Sequence, residues 1–183
     1  MTESPDIPWA RYEDSHGAPP EPKSKGTAAG AKLQAFIKAK GVSGGSLLVI
    51  GAQGAGDAIA MALLGFDVHL MDISMSAMEG IDRYGVKPHC GSPSEFWLFE
   101  NKHFDSILDT HHYASEPDPG RRAFYRGELL RVLKSGCPIA VSVPRSMEKR
   151  TKGELSDSGF VIAPPDGADE VEKMATLILA IRK

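Results

Sequence analysis

A glycine-rich turn and an aspartate 21 residues after its first glycine have the spacing of a ligand site. The turn reads GAQGAG, from Gly51 to Gly56, and directly follows the apolar run SLLVI. A glycine at such a turn lets the chain bend sharply and lets a ligand approach the main chain. Asp72 ends the next apolar run, DVHLMD, and a carboxylate there can accept hydrogen bonds from both ribose hydroxyls of an adenosine ligand. The alternative is that Asp72 caps a helix that begins near Ser74.

The turn is compatible with two kinds of adenosine ligand. A dinucleotide site reads G-x-G-x-x-G, and the pyrophosphate lies against its middle glycine. Gln53 stands at that position, where a side chain would obstruct the pyrophosphate. A methyl donor such as S-adenosylmethionine carries no phosphate, so it tolerates a glutamine more easily than NAD does. A domain that no longer binds a cofactor is the third interpretation.

Two histidines offer proton-transfer chemistry after a later apolar run. The sequence FDSILDTHHY places His111 and His112 directly after Asp109 and Thr110. A histidine beside a substrate can take a proton from a group of suitable pKa. The competing interpretation is that either histidine faces solvent or caps a turn. A metal site would need a third ligand, and because the sequence points to none we predict no metal.

Alternating strands and helices position these residues. Short apolar runs predict strands and segments with one apolar face predict helices. The predicted helices are 28–41, 57–65, 74–84, 121–137 and 153–159, and the main apolar runs are 46–50, 67–72, 104–110, 138–144, 160–165 and 173–183. This alternation indicates a mostly parallel α/β sheet with helices on both faces, in which ligands bind at the carboxyl ends of the strands. In the fourth predicted helix, Arg121, Arg122 and Arg126 look like an exposed face.

Residues 1–26 differ in composition from the single domain that we expect over 27–183. They contain five prolines and few apolar side chains, which predicts a flexible N-terminal arm outside the core. Trp9 is the large apolar anchor of this arm. The arm is either a disordered tail with a stray tryptophan or a segment that covers a ligand site through Trp9.

The bulk composition excludes several classes of protein. The 183 residues are 42% hydrophobic and 25% charged, as in a soluble globular domain. A net charge of -3 without a basic cluster argues against nucleic-acid binding. No apolar run reaches the roughly 20 residues that cross a bilayer, and the N-terminus lacks a signal core, so we expect a cytoplasmic protein with no membrane partner. Cys90 and Cys137 lie far apart in sequence, which predicts buried free thiols.

Segment 104–144 resembles the second half of class I S-adenosylmethionine-dependent methyltransferases, where a strand FDxI, an acid, a helix ending in LLKPGG and another strand follow in order. The chain is most similar to the thiopurine and halide/thiol methyltransferase family, whose glycine loop reads roughly LVPGCGxGxD. LVIGAQGAGD matches that loop at Val49 and Asp57, and departs from it at Ala52, Gln53 and Ala55. DISMSAM, CGSPSEF and the PW pair of the arm are similar to further motifs of the family.

The resemblance implies a Rossmann-like class I methyltransferase fold, with a seven-stranded, mostly parallel sheet, helices on both faces and an antiparallel last strand. It implies S-adenosylmethionine as cofactor, S-adenosylhomocysteine as product and a small-molecule nucleophile, such as a thiol or selenol, as substrate. A catalytically inactive binding or scaffold protein is the alternative that the altered loop leaves open. We expect a monomer or weak dimer.

The resemblance also implies which residues would contact the cofactor. They are Trp9, Gly51, Ala52, Gln53, Asp72, Ile73, Ser92, Pro93, Asp109 and Thr110. Among them, Asp72 would hold the ribose, Ile73 would pack against the adenine and Trp9 would cover the cofactor from the arm. Asp109 and Thr110 would lie near its amino-acid part. His111 and His112 are the candidate catalytic residues.

Overall fold

A seven-stranded sheet organises the part of the chain that the computed structural model describes, residues 28–39, 44–163 and 175–183. The strand order is β3-β2-β1-β4-β5-β7-β6. The strands are β1 (Ser46–Ile50), β2 (Asp67–Asp72), β3 (Lys87–Cys90), β4 (Ser106–Asp109), β5 (Pro138–Pro144), β6 (Phe160–Ile162) and β7 (Ala175–Arg182). Strands β1 to β5 pair in parallel, whereas β7 is antiparallel to β5 and β6. The predicted mostly parallel sheet with an antiparallel last strand is confirmed.

Helices cover both faces of this sheet. They are α1 (Ala28–Ala39), α2 (Ala55–Leu63), α3 (His112–Ser115), α4 (Pro119–Val132) and α5 (Glu148–Asp157). Alternate residues of a strand face opposite sides, so Leu47 and Val49 join a core with α1 and α2, while Leu48 and Ile50 join a core with α3, α4 and α5. Since β1 is buried on both faces, its residues form the continuous apolar run seen in the sequence.

Several elements differ from the sequence prediction. The short helix α3 was not predicted, and α4 and α5 are observed at 119–132 and 148–157 instead of 121–137 and 153–159. The predicted helix 74–84 consists of two 3-10 helices, Met75–Met78 and Ile81–Tyr84. Gly80 separates them because it adopts a left-handed conformation, with φ of 77°, that a continuing helix does not contain. The strand β3 has the sequence KPHC and was not predicted, because this edge strand is only partly buried and has no apolar run.

The cysteines and the N-terminal arm also bear on the predictions. Both cysteines are free, but Cys90 is exposed and Cys137 is only half-buried, so the prediction of buried thiols is wrong. Cys90 ends the edge strand β3, where no further strand covers it. The predicted arm 1–26, including Trp9, lies outside the described residues. Within the described ranges, no helix is both long and apolar enough to cross a bilayer.

Candidate functional site

The carboxyl ends of β1, β2 and β4 meet at one edge of the sheet. Strand β1 lies between β2 and β4 and pairs with both in parallel. The chain leaves β1 toward β2 on one side and reaches β4 on the other, so a crevice opens above the end of β1, where ligands bind in open α/β sheets. Gly51 follows β1, Asp72 ends β2 and Asp109 ends β4. The site that the sequence predicts therefore lies in this crevice.

Gly51 provides bare main chain at the floor of the crevice. Its φ of 100° suits glycine. A Cβ at this position would lie 2.7 Å from Thr110 Oγ1 and 2.9 Å from His112 Cδ2, which is too close for a side chain. The next residues, Ala52–Gly54, form a 3-10 turn that leads into α2. The glycine is therefore required by the close approach of the segment that follows β4.

The side chain of Gln53 does not fill the turn. Gln53 is exposed, whereas Gly51 and Gly54 on either side of the turn are buried. The glutamine at the position of the expected glycine therefore lies at the surface of the loop rather than in its buried part.

The carboxylate of Asp72 bridges the glycine turn and the segment after β2. Oδ2 accepts the N–H of Ala52 at 2.7 Å, and Oδ1 accepts the N–H of Ser74 at 2.8 Å. Burial raises the pKa of Asp72, but these two donors and His112 outweigh burial, and the pKa lies below its ordinary 3.8. Ser74 itself caps the following 3-10 helix through Oγ. Asp72 thus supports the turn rather than replacing Ser74 as the cap.

The same carboxylate keeps capacity for a ligand. An ionised carboxylate has about four acceptor positions, and two of those of Asp72 are occupied by main-chain N–H groups. Ile73 follows directly and is 65% exposed, so a branched apolar side chain lies beside the acid. An aromatic base could pack on Ile73 while its ribose reached Asp72, which is the arrangement that the resemblance implies.

Ser92 and Pro93 follow β3 near the end of β2. The N–H of Gly91 donates to the carbonyl of Asp72 at 3.0 Å, which ties this segment to the crevice. Ser92 is half-buried, and its Oγ accepts the N–H of Ser94. Pro93 is buried, and its carbonyl accepts Trp97 Nε1–H at 3.0 Å. Of the two predicted residues, Ser92 is the one with partly exposed surface.

Asp109 is enclosed by the protein. The carboxylate, 1% exposed, accepts three N–H groups, from His111, His112 and Tyr113, at 2.7 to 2.9 Å. It also accepts the hydroxyl of Tyr125 at 2.7 Å. Burial raises the pKa of Asp109, against the opposing effect of these hydrogen bonds. With four donors bound, the carboxylate holds the segment after β4 and has no acceptor position left for a cofactor.

The segment after β4 carries the two histidines. The hydroxyl of Thr110 donates to the carbonyl of Ile50 at 2.9 Å, which fixes the segment to the end of β1. His111 has φ of 126°, an unusual conformation for a residue with a side chain. Nε2 of His112 lies 3.6 Å from Asp72 Oδ2. The fold thus brings His112 together with Gly51, Asp72 and Thr110, while no described contact joins the His111 side chain to them.

The arginines of α4 are a correction to the sequence prediction. Arg122 is only 5% exposed. It donates to Glu154 of α5 at 3.0 Å and to the carbonyls of Glu116 and Pro117. Arg126 is half-buried and donates to the Tyr113 hydroxyl at 2.7 Å, so only Arg121 is exposed as predicted. The buried guanidinium joins α4 to α5 behind the segment that carries the histidines.

Tyr125 and Glu154 are site-supporting residues that the sequence did not reveal. Each contacts a partner distant in sequence, Asp109 and Arg122 respectively. A local pattern carries no signal for such pairs. No group of three or more histidine, cysteine or acidic residues in the described ranges is arranged to hold a metal ion.

Comparisons with known proteins place this crevice in a recognised fold. No protein-family model matches the sequence, and no curated protein matches it either. Among solved structures, 1,6-didemethyltoxoflavin-N1-methyltransferase of Burkholderia thailandensis, crystallised with 1,6-didemethyltoxoflavin and S-adenosylhomocysteine, has a TM-score of 0.68 at 17% identity, over 85% of this chain and 78% of that one. A TehB-like S-adenosylmethionine-dependent methyltransferase of Corynebacterium glutamicum has a TM-score of 0.68 at 14% identity, over 95% and 94% of the two chains.

A third neighbour is the glycopeptide N-methyltransferase MtfA, crystallised with S-adenosylmethionine, which has a TM-score of 0.63 at 16% identity, over 90% of this chain and 99% of that one. Identities this low establish the fold. The chain has the Rossmann-like fold of class I S-adenosylmethionine-dependent methyltransferases, as the sequence predicted. The closer resemblance to the thiopurine and halide/thiol family stays a prediction.

Proposed function

We propose that this protein is an S-adenosylmethionine-dependent methyltransferase that acts on a small-molecule nucleophile. The proposal rests on the carboxylate of Asp72, whose lowered pKa keeps it ionised. This carboxylate lies beside the glycine turn, and main-chain N–H groups occupy two of its roughly four acceptor positions. The other two positions match the two hydroxyls of a ribose. The neighbours of this fold support the same class of cofactor, since structures of them contain S-adenosylmethionine or S-adenosylhomocysteine.

The residues of the crevice fit such a cofactor. Gly51 directly follows β1 and carries no side chain, which suits close approach of the methionine part to the main chain. Asp72 would accept the ribose hydroxyls, and the exposed side chain of Ile73 would pack against the adenine. The neighbouring segments, which follow β1, β3 and β4, contain the other predicted contact residues Ala52, Gln53, Ser92 and Thr110. Asp109 acts indirectly in this proposal, because its carboxylate positions the segment after β4.

When bound, S-adenosylmethionine supplies an electrophilic methyl group. The protein's own part is then to align a nucleophile with that methyl group and to exclude water. A thiol substrate would react as its thiolate. His111 and His112 are the candidate groups for taking up a proton, and His112 is the one that the fold places beside Gly51 and Asp72. The thiol or selenol acceptor, the cytoplasmic location and the monomeric or weakly dimeric state stay predictions.

A binding or scaffold protein without catalysis is the second candidate function. The observation that favours it is the pair of alanines, Ala52 and Ala55, and the glutamine that replace the family's loop residues. Bound cofactor without methyl transfer would fit this candidate. An NAD-dependent enzyme is disfavoured by the sequence of the loop, because Gln53 stands where the dinucleotide fingerprint has its middle glycine.

Calorimetric titration of the purified protein with S-adenosylhomocysteine and, separately, with NADH tests the proposal. We expect S-adenosylhomocysteine to bind and NADH to show no heat of binding. Absence of binding by both ligands would overturn the proposal and favour the scaffold, and binding of NADH alone would favour the oxidoreductase. A methyl-transfer assay against a panel of thiols then separates an enzyme from a protein that only binds.

A further inference from the structure

The imidazole of His112 covers the floor of the crevice. Its Cδ2 and Nε2 lie 2.9 and 3.3 Å from the place where a Cβ of Gly51 would stand. Nε2 also lies 3.6 Å from Asp72 Oδ2. The imidazole therefore packs against the main chain of Gly51, where no side chain would fit. It also faces the carboxylate of Asp72 at the end of β2.

These are the two features that the proposed function assigns to the cofactor. A ribose held by both hydroxyls needs one acceptor position on each oxygen of Asp72, because each oxygen already accepts one main-chain N–H. The remaining position on Oδ2 is on the side that His112 faces. Beside Gly51 the imidazole shares the available space with the hydroxyl of Thr110, which lies 2.7 Å from the same Cβ position.

We propose, on the basis of the proposed function, that His112 is a latch that competes with the cofactor for Oδ2 of Asp72 and rotates aside when the cofactor binds. Only the side chain of His112 has to rotate, while the main chain around it stays in place. Asp109 binds the N–H groups of His111, His112 and Tyr113, so the main chain is fixed at this point. The side chain of His112 is 29% exposed and can turn toward solvent.

The test is calorimetric titration of wild type and His112→Ala with S-adenosylhomocysteine at pH 8. We expect the alanine variant to bind about fivefold more tightly, since the wild-type imidazole beside Asp72 occupies the latched position in most molecules. His103→Ala removes a histidine outside the crevice and should leave the Kd unchanged.

Other outcomes separate the latch from the proposed function. Weaker binding by His112→Ala would mean that the histidine holds the cofactor, and equal binding by both proteins would mean that it does not compete. Either result overturns the latch while leaving the proposed function standing. Binding by neither protein overturns the proposed function and the latch with it.

Discussion

Asp72 and Asp109 end the two strands that flank β1, and their carboxylates differ in what surrounds them. Asp72 accepts two main-chain N–H groups and adjoins exposed Ile73. Asp109 accepts three N–H groups and a tyrosine hydroxyl inside the protein. Both carboxylates are buried, but that of Asp72 has two hydrogen-bond donors from the main chain, whereas that of Asp109 has four donors.

The difference shows that position at a strand end does not by itself identify a binding residue. What separates the two acids is acceptor capacity, which depends on the donors that the fold brings to each. The environments also move their pKa values apart, down for Asp72 and up for Asp109. We propose that Asp72 binds the cofactor, whereas Asp109 holds the segment after β4 in place.

The largest expected effect is on stability, from Asp109→Ala. The variant leaves three N–H groups and the hydroxyl of Tyr125 without their acceptor in a buried place, so we expect the free energy of unfolding to fall by about 3–5 kcal/mol. Urea unfolding followed by circular dichroism measures it. Asp105→Ala is the matched control, because Asp105 also accepts a main-chain N–H but is partly exposed, and should cost about 1 kcal/mol. Equal losses for both variants would contradict the distinction.

Two histidines, His69 and His89, also pair inside the fold, and we expect them to have a smaller effect on the free energy of unfolding than Asp109. His69 Nδ1 and His89 Nε2 lie 2.9 Å apart, on β2 and β3. Burial lowers the pKa of His69 to about 4, although Asp67 opposes the shift. Since the unfolded chain binds a proton near pH 6.5, it binds more protons than the folded protein between pH 6.5 and 4. The free energy of unfolding should therefore decrease as the pH falls through this window, by about 2–3 kcal/mol in total.

Chemical denaturation at pH 7, 6, 5 and 4 checks this dependence. His69→Phe keeps an aromatic ring next to Phe99 and Phe104 and removes the titrating group. The variant should show a shallower loss of stability with acid, with the remainder due to His89, whose pKa burial also lowers. The same slope in wild type and variant would show that His69 does not carry the effect.

The sequence predicted the elements that are buried along their length. The predicted bounds of β1, β2 and β5 agree with the structure, because these strands are mostly buried and mostly apolar. The edge strand β3 gave no such signal. Asp72 was predictable as a candidate because it follows a strand at a fixed distance from a glycine turn. The sequence could not predict that the protein's own donors occupy the carboxylate of Asp109, because one of them, Tyr125, lies 16 residues later on a separate helix.

The central claim is that Asp72 binds the ribose of the cofactor, and calorimetric titration of wild type and Asp72→Ala with S-adenosylhomocysteine tests it most directly. Asp67→Ala is the control, since it removes an aspartate at the opposite end of β2 whose partners are Lys87 and His69. We predict that Asp72→Ala weakens binding at least about 100-fold, or about 3 kcal/mol, through loss of charge-assisted hydrogen bonds. Its unfolding free energy should fall by only about 1–2 kcal/mol, and Asp67→Ala should bind like wild type. A folded Asp72→Ala variant with unchanged affinity would contradict the account.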